Sequence, residues 1–265
     1  MNELSPGAST DAAGAGAAAP SSSSERSLAL LALVASEGRA LSLAELSARL
    51  GLPKASAHRI CTQLQEGDWL MRDADERAFS VGPALRRLAL DTLNNGVVRG
   101  LRHQVLAELV AGIGETCNFT TLDGATVLYL DRVEAPWPWR LTLDVGAHVP
   151  LHCTASGKLF LAAMPAARRD ALIERLRLEA LTPTTITSPE QLRAECDAIA
   201  ARGYSTDREE FIAGLNAAAV PVKDAQGQTR AAIAIHAPSA RMSIDDALAR
   251  LPALQAAAAR MAELL

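Results

Sequence analysis

The sequence predicts an α+β protein with two folded parts: a winged helix-turn-helix, followed by an antiparallel sheet covered by helices. Residues 25–82 follow the order helix, helix, tight turn, helix, hairpin, which is the order of a winged helix-turn-helix. Residues 116–237 alternate strand-like apolar runs with helical segments, which is typical of a sheet with helices packed on it. A length of 265 residues is compatible with one large domain or two modest ones.

Composition and charge exclude several classes of protein. Hydrophobic residues make up 49% and charged residues 21%, so the chain is not wholly disordered. A formal net charge of −4 excludes a basic nucleic-acid coat. No apolar run reaches the roughly 18 residues of a membrane span, and the N-terminus does not resemble a signal peptide. The cysteines Cys61, Cys117, Cys153 and Cys196 form no CxxC pair, which favours reduced thiols and a cytoplasmic protein without a membrane partner.

Changes in composition divide the chain into four parts. Residues 1–24 are rich in Ala, Gly, Ser and Pro and are predicted to be a disordered tail. Residues 25–83 form the predicted DNA-binding domain, and residues 84–100 the predicted linker helix. Residues 101–265 form the second domain.

Local signals position the helices and the hairpin of the first domain. Ser42 and Glu45 form an S-x-x-E capping box, which predicts the start of the second helix. Pro53 suits the first turn of the third helix, because its missing N–H would have no partner there. The runs Trp69–Arg72 and Ala78–Val81 are predicted strands around a charged turn.

The third helix is predicted to enter the DNA major groove, with the hairpin beside the backbone. Its polar face contains no acidic residue although the chain is acidic overall, and a phosphate-facing surface must avoid carboxylates. Any small helical domain with a hairpin would show the same order of elements. The predicted DNA-binding residues are Lys54, Ser56, His58, Arg59, Thr62 and Gln63 on the helix, with Arg72 and Arg77 on the hairpin.

The second domain is predicted to mix strands and helices. Asp123-Gly124 between two apolar runs is a strong hairpin signal. The predicted strands are Thr116–Leu122, Thr126–Val133, Arg140–Val145, Gly203–Thr206, Ala217–Val222 and Ala231–Ala237. The predicted helices are Leu159–Ala163, Ala166–Glu179, Pro189–Arg202 and 244–264.

Three stretches resemble the IclR-type bacterial transcriptional regulators. They are LSLAELSARLGLPKASAHRICTQLQEGDWL at 41–70, the PLHCTASGK core of 131–162, and GYSTDREEFIAGLNAAAVPVKDAQG at 203–227. The resemblance implies that the second domain is a GAF-like effector-binding domain. It also implies dimers or tetramers on a palindromic DNA operator, control by a small organic acid that is often aromatic, no enzymatic activity and no cofactor.

The candidate effector site combines this resemblance with a physical argument. Thr-Ala-Ser-Gly at the start of a helix presents free amide protons and the positive end of the dipole, which suits a carboxylate. The simpler interpretation is that Thr154 or Ser156 merely caps that helix. By resemblance, Asp207 lies at an effector contact. The candidate effector-binding residues are Leu151, His152, Thr154, Ala155, Ser156, Asp207, Leu215 and Ala217.

The sequence gives little support for a catalytic site or a metal site. The segment around Ser156 fails both the Walker loop and the nucleophile-elbow patterns, so no catalytic residue is predicted. His148 and His152 lie in a non-helical stretch, which argues against a metal site.

Two alternatives remain open from the residues. The loop with Trp137 and Trp139 either packs against the protein or covers a ring-shaped ligand. The alternative function is a metabolite-binding protein or enzyme whose N-terminal domain serves only dimerisation.

Overall fold

A computed structural model describes residues 22–37, 39–73, 77–93, 96–138 and 143–265. Most of the predicted disordered tail, residues 1–24, lies outside these ranges. The chain forms two compact units, with the boundary between Thr92 and Leu93.

The first unit has the element order of a winged helix-turn-helix. Its three short strands form an antiparallel sheet in the order β1-β3-β2. The two-residue strand β1 was not predicted, since so short a run has no periodicity. The elements are α1 (Ser23–Glu37), β1 (Leu41–Ser42), α2 (Leu43–Leu50), α3 (Lys54–Glu66), β2 (Leu70–Arg72), β3 (Ala78–Val81) and most of α4 (Pro83–Leu93).

Helix α2 begins and ends as its sequence predicts. The Glu45 amide donates to the Ser42 hydroxyl, and the Ser42 amide donates to the Glu45 carboxylate at 2.9 Å, so the predicted capping box is confirmed. Gly51 ends the helix with a left-handed φ of 62°. Pro53 precedes α3 as its N-cap instead of standing in the first turn, because its ψ of 140° is extended.

One apolar cluster holds the first unit together, with Leu30, Leu46, Ile60 and Phe79 almost fully buried in it. The hairpin closes against the turn before it at Gly82. A Cβ atom there would lie 2.1 Å from the Asp68 carbonyl oxygen, so only glycine permits this approach.

The second unit is built around a six-stranded sheet in the order β6-β5-β4-β9-β8-β7, with every described neighbour pair antiparallel. The predicted α+β class is confirmed. The elements are α5 (Gly96–Ile113), β4 (Thr116–Asp123), β5 (Thr126–Val133), β6 (His148–Pro150), α6 (Ala155–Ala162), α7 (Ala166–Ile173), α8 (Pro189–Arg202), β7 (Ser205–Arg208), β8 (Leu215–Lys223), β9 (Thr229–Pro238), α9 (Ile244–Ala249) and α10 (Leu251–Ala262).

The two faces of the sheet have different side chains. On β9, Ile233 and Ile235 point to the face covered by α5 and α10, while Ala232 and Ala234 point to the face covered by α6 and α8. Small side chains on this second face let α6 lie close to the sheet, and the helix is buried from Ala155 to Leu161.

Some predicted segments differ in the structure. The predicted linker, residues 84–100, covers most of α4 and the start of α5, and residues 94–95 lie outside the described residues. The predicted helix Ala166–Glu179 is shorter and ends at Ile173. The predicted helix 244–264 is divided into α9 and α10 because Pro252 removes an amide donor and its ring clashes with the preceding turn. Of the predicted strand Arg140–Val145, residues 140–142 lie outside the described residues and the rest is not strand; β6 at His148–Pro150 pairs with β5 instead.

Candidate DNA-binding face and effector cavity

Helix α3 separates an apolar face from a polar one. Ala57, Ile60 and Cys61 are buried in the core of the first unit. The opposite face contains no acidic residue before Glu66 at the end of the helix. Of the predicted residues on it, Ser56 is half-buried and the others are exposed: Lys54, His58, Arg59, Thr62 and Gln63.

The hairpin positions its two predicted arginines differently. Arg77 is exposed beside the turn, where Asp73 accepts hydrogen bonds from the Arg77 and Ala78 amides. Arg72 is half-buried: its guanidinium lies 4.7 Å from the centre of the Phe79 ring and donates to Gln65. Arg72 therefore also stabilises the base of the hairpin.

An apolar groove of about 620 Å³ runs along the first unit between α1, α4 and the turn before β2. We call it the α1–α4 groove. Leu28 and Leu88 stand at its edge and are 66% and 50% exposed. Its lining residues are Ser23, Ser24, Ser27, Leu28, Leu31, Ala32, Ala35, Leu64, Trp69, Leu85 and Leu88.

A second, smaller cavity of about 30 Å³ lies between the sheet of the second unit and the start of α6. We call it the effector cavity. Six of the eight candidate effector residues line it, namely Thr154, Ala155, Ser156, Asp207, Leu215 and Ala217. The other lining residues are Asn118, Tyr129, Leu143, Val149, Phe211, Ala234 and His236.

The remaining two candidates lie elsewhere. Leu151 is buried in the apolar cluster under α6, and the ring of His152 makes a 3.0 Å hydrogen bond with the Glu179 carbonyl. Neither residue lines the effector cavity, so their assignment as effector contacts is not supported.

The start of α6 is shaped by Thr154 and Gly157. The Thr154 hydroxyl accepts from the Gly157 amide at 3.1 Å and donates to the Pro150 carbonyl at 2.7 Å. A Cβ atom on Gly157 would lie 2.4 Å from the Leu151 carbonyl, so glycine is required for this tight approach. The amides of Ala155 and Ser156, in the first turn, have no carbonyl acceptor one turn earlier in the helix.

Lys158 does not add a free positive charge to this site. Its side chain is 1% exposed, and its ammonium group pairs with the buried carboxylate of Glu210. Buried ions require such a partner. Glu210 is therefore held inside the second unit and is not part of a solvated charged turn.

Asp207 is also buried, at 2% exposure. One of its oxygens accepts from the amides of Glu210 and Phe211, at 2.7 and 3.3 Å. Burial raises the pKa of Asp207 to about 7, and the negative charge of Glu210 adds to this effect. The carboxyl group therefore changes its charge near neutral pH.

Asn118 and His236 also line the cavity, and Arg132 contacts Asn118, although the sequence indicated none of the three. The Arg132 guanidinium donates to the Asn118 side-chain oxygen at 3.0 Å, and the Asn118 side-chain nitrogen lies 2.8 Å from Nδ1 of His236. Burial lowers the pKa of His236 to about 3, and the charge of Arg132 adds to this. One feature of the sequence could have indicated this site: His236 occupies an inward position on a face of β9 that otherwise carries alanines.

The tryptophan loop packs against the protein at the residue that is described. The Trp137 indole donates to the Gly114 carbonyl at 2.9 Å, and the Arg241 guanidinium lies 4.9 Å from the centre of its ring. Trp137 does not line the effector cavity, so the ligand-covering interpretation is not supported for it. Trp139 lies outside the described residues.

Among the described residues, no group of three or more His, Cys, Asp or Glu side chains could hold a metal ion. His148 instead pairs with Asp123 at 2.8 Å. No helix in the described part of the chain is long and apolar enough to cross a membrane.

Comparison with known proteins identifies both units. The family model of the bacterial transcriptional regulator IclR C-terminal domain matches residues 90–263, and that of the IclR helix-turn-helix domain matches residues 23–74. The chain belongs to the IclR family. It is thus a transcriptional regulator with a DNA-binding helix-turn-helix, and the alternative of an enzyme is wrong.

Relatives of this IclR-family regulator cover nearly its whole length. It is 42% identical over 237 residues to the probable transcriptional regulator SauR of Cupriavidus necator, a match that covers 89% of this chain and 94% of SauR. The crystal structure of Thermotoga maritima IclR superposes with a TM-score of 0.61 at 25% identity, over 90% of this chain and 96% of that one.

A third relative resembles the second unit. The inducer-binding domain of an Acinetobacter PobR double mutant, solved with 3-hydroxybenzoic acid, superposes with a TM-score of 0.58 at 29% identity. The match covers 62% of this chain and 96% of that one.

Proposed function

We propose that a small organic acid binds in the effector cavity and thereby controls binding of this regulator to a palindromic DNA operator. The observation that carries the proposal is the meeting, at one cavity, of the α6 start, the carboxyl group of Asp207 and the buried imidazole of His236. Polar groups that converge in an otherwise apolar cavity are typical of small-molecule sites.

The attraction for an anion comes from the backbone. Residues 101–265 are net acidic, and Lys158 is already paired with Glu210. The first-turn amides of α6 and the positive end of its dipole supply the remaining favourable field at Ala155 and Ser156. A carboxylate is therefore the group we assign to this end of the cavity.

The size of the cavity favours short acids. About 30 Å³ accommodates roughly two water-sized molecules, whereas a cavity that binds benzene measures about 150 Å³. PobR, a relative of similar fold, is solved with an aromatic acid. An aromatic effector would require this cavity to widen, and a short aliphatic acid would require less.

Binding to a palindrome requires two copies of the helix-turn-helix related by two-fold symmetry. The α1–α4 groove, with Leu28 and Leu88 exposed at its edge, supports self-association of the first unit. We infer that two copies cover this groove and present two α3 helices to successive half-sites.

Titration calorimetry of the full-length protein tests the effector proposal. The probes are matched pairs of acid and amide: propionate and propionamide, lactate and lactamide, benzoate and benzamide. We expect at least one acid to bind at least tenfold more tightly than its amide and to change the gel shift of the DNA upstream of the protein's own gene.

Ala155→Pro tests the contribution of the backbone. Proline is well tolerated at the first helical position after the extended Thr154, but it removes the Ala155 amide proton. We expect a loss of acid affinity of about tenfold, while Ala155→Ser, which keeps the amide, retains binding. Equal binding of acid and amide in the wild type, or unchanged acid affinity in a folded Ala155→Pro protein, contradicts the proposal.

A further inference from the structure

Three buried polar side chains form a hydrogen-bonded series that ends at the effector cavity. Arg132, Asn118 and His236 are 9%, 1% and 6% exposed. They lie on β5, β4 and β9, three adjacent strands of the sheet. The series runs from the Arg132 guanidinium through the Asn118 amide to Nδ1 of His236.

The order of donors in this series determines which histidine nitrogen bears the proton. A guanidinium only donates, so Asn118 must direct its oxygen to Arg132 and its NH₂ group to His236. An amide NH₂ group also only donates, and Nδ1 of His236 must therefore accept with its lone pair. The proton of the neutral ring then lies on Nε2.

The neutral state is favoured by the same surroundings. A protonated ring would direct a second N–H at the Asn118 NH₂ group and would add a buried positive charge near Arg132. Both effects agree with the lowered pKa of His236. Near neutral pH the side chain is thus an Nε2–H donor with a single orientation.

This donor has no partner among the described residues, and the ring lines the effector cavity. A buried donor without an acceptor is unfavourable, so a ligand oxygen at this position gains a hydrogen bond that costs the protein no rearrangement.

The register of the sheet shows where that oxygen would lie. Asp207, Ala217 and His236 occupy one row across β7, β8 and β9. Neighbouring strands lie about 4.8 Å apart, so the backbones at Asp207 and His236 are separated by roughly 10 Å across the sheet. The short side chain of Ala217 leaves the space between them open, below the start of α6.

We propose that His236 is a specificity-determining residue: its Nε2–H donates to a second oxygen of the effector, and Asn118 and Arg132 are positioning residues that fix this tautomer. The effector is thereby restricted to acids with a carbonyl, hydroxyl or second acid oxygen near the carboxylate. This inference rests on the proposed function, because it assigns the second group of the same ligand.

The binding test compares three acids that differ only at the second carbon: propionate, lactate and pyruvate. In titration calorimetry with the full-length protein, we expect lactate or pyruvate to bind at least tenfold more tightly than propionate. His236→Leu should reduce that ratio to about one, and His236→Gln, which keeps an N–H donor, should restore part of it. The matched control is His148→Leu, an exposed histidine outside the cavity, which should leave the ratio unchanged.

A second measurement tests the tautomer without any ligand. The nitrogen chemical shifts are measured by NMR on protein with isotope-labelled histidines. The signals of His236 are those that disappear in His236→Gln. They should show a protonated Nε2 and an unprotonated Nδ1. Asn118→Leu should give a mixture of tautomers and a smaller ratio of acid affinities. Thermal unfolding of each variant confirms that it is folded.

A failure of the role of His236 can be distinguished from a failure of effector binding itself. Equal affinity of wild type for all three acids, or an unchanged ratio in folded His236→Leu, overturns the role of His236 while acid binding itself stands. A proton on Nδ1 overturns the positioning role of Asn118 and Arg132. Binding of none of the three acids contradicts the short-acid effector and this inference together.

Discussion

At the scale of single residues, burial decides the charge of Asp207. Its carboxyl group lies beside the Glu210 carboxylate, and Lys158 only partly compensates. Because its folded pKa of about 7 is above the ordinary value, folding takes up a proton between about pH 4 and pH 7. This residue therefore lowers the free energy of unfolding as the pH rises through that range.

Effector binding should depend on pH through the same residue. A carboxylate placed near Asp207 favours its protonated form and raises its pKa further, so binding takes up a proton above pH 7. We expect acid affinity to fall by about twofold between pH 6 and pH 7 and by up to tenfold per pH unit above that. Calorimetric titration in buffers of different ionisation enthalpy measures both affinity and proton uptake.

Asp207→Asn keeps the oxygen that accepts from the Glu210 and Phe211 amides but removes the titration. Its acid affinity should be nearly independent of pH, while the exposed control Asp245→Asn should behave as wild type. A wild-type affinity that is flat from pH 6 to pH 9 would rule out the involvement of Asp207.

At the scale of elements, the function we propose gives α3 and α6 different means of attracting an anion. Helix α3 has an exposed cationic face without an acidic residue before Glu66, while α6 is buried from Ala155 to Leu161. In this proposal, side chains of α3 attract DNA and the first-turn amides of α6 attract the effector.

Arg59→Ala and Lys54→Ala should weaken operator binding without unfolding either unit, since both side chains are exposed. If Arg59 contacts a guanine edge, its loss should cost about 1–3 kcal/mol and relax sequence preference at one position. If it contacts only phosphate, binding should weaken evenly across sequences and depend less steeply on salt. Gel shifts at several salt concentrations distinguish the two cases.

The control for this pair is Arg177→Ala, an exposed arginine in the second unit, which should leave operator affinity unchanged. Wild-type affinity in both Arg59→Ala and Lys54→Ala would show that another face contacts the DNA.

At the scale of the whole molecule, we propose that the α1–α4 groove, an apolar surface with two exposed leucines at its edge, joins two copies of the chain. The double variant Leu28→Glu, Leu88→Glu places two charges at the edge of the groove. Because both leucines are exposed, the free energy of unfolding of the monomer should fall by only roughly 0.5 kcal/mol. We expect a lower affinity for a full palindrome but an unchanged affinity for a single half-site. Sedimentation velocity and gel shifts on both DNAs check this.

Leu181→Glu is the matched control, since this exposed leucine belongs to the second unit and does not line the groove. An unaltered full-palindrome affinity in the double variant would mean that the groove does not join two copies.

The sequence by itself determined the family and many of the elements. The capping box at Ser42, the Asp123-Gly124 turn and the PLHCTASGK stretch depend on near neighbours in the chain, and these local patterns predicted the helix-turn-helix, the hairpin and the start of α6. Only the tertiary structure decided the composition of the effector cavity. His236 meets Asn118 across 118 residues of sequence, and Lys158 meets Glu210 across 52. Such pairs depend on strand order and register, which bring distant residues together and which no local spacing encodes.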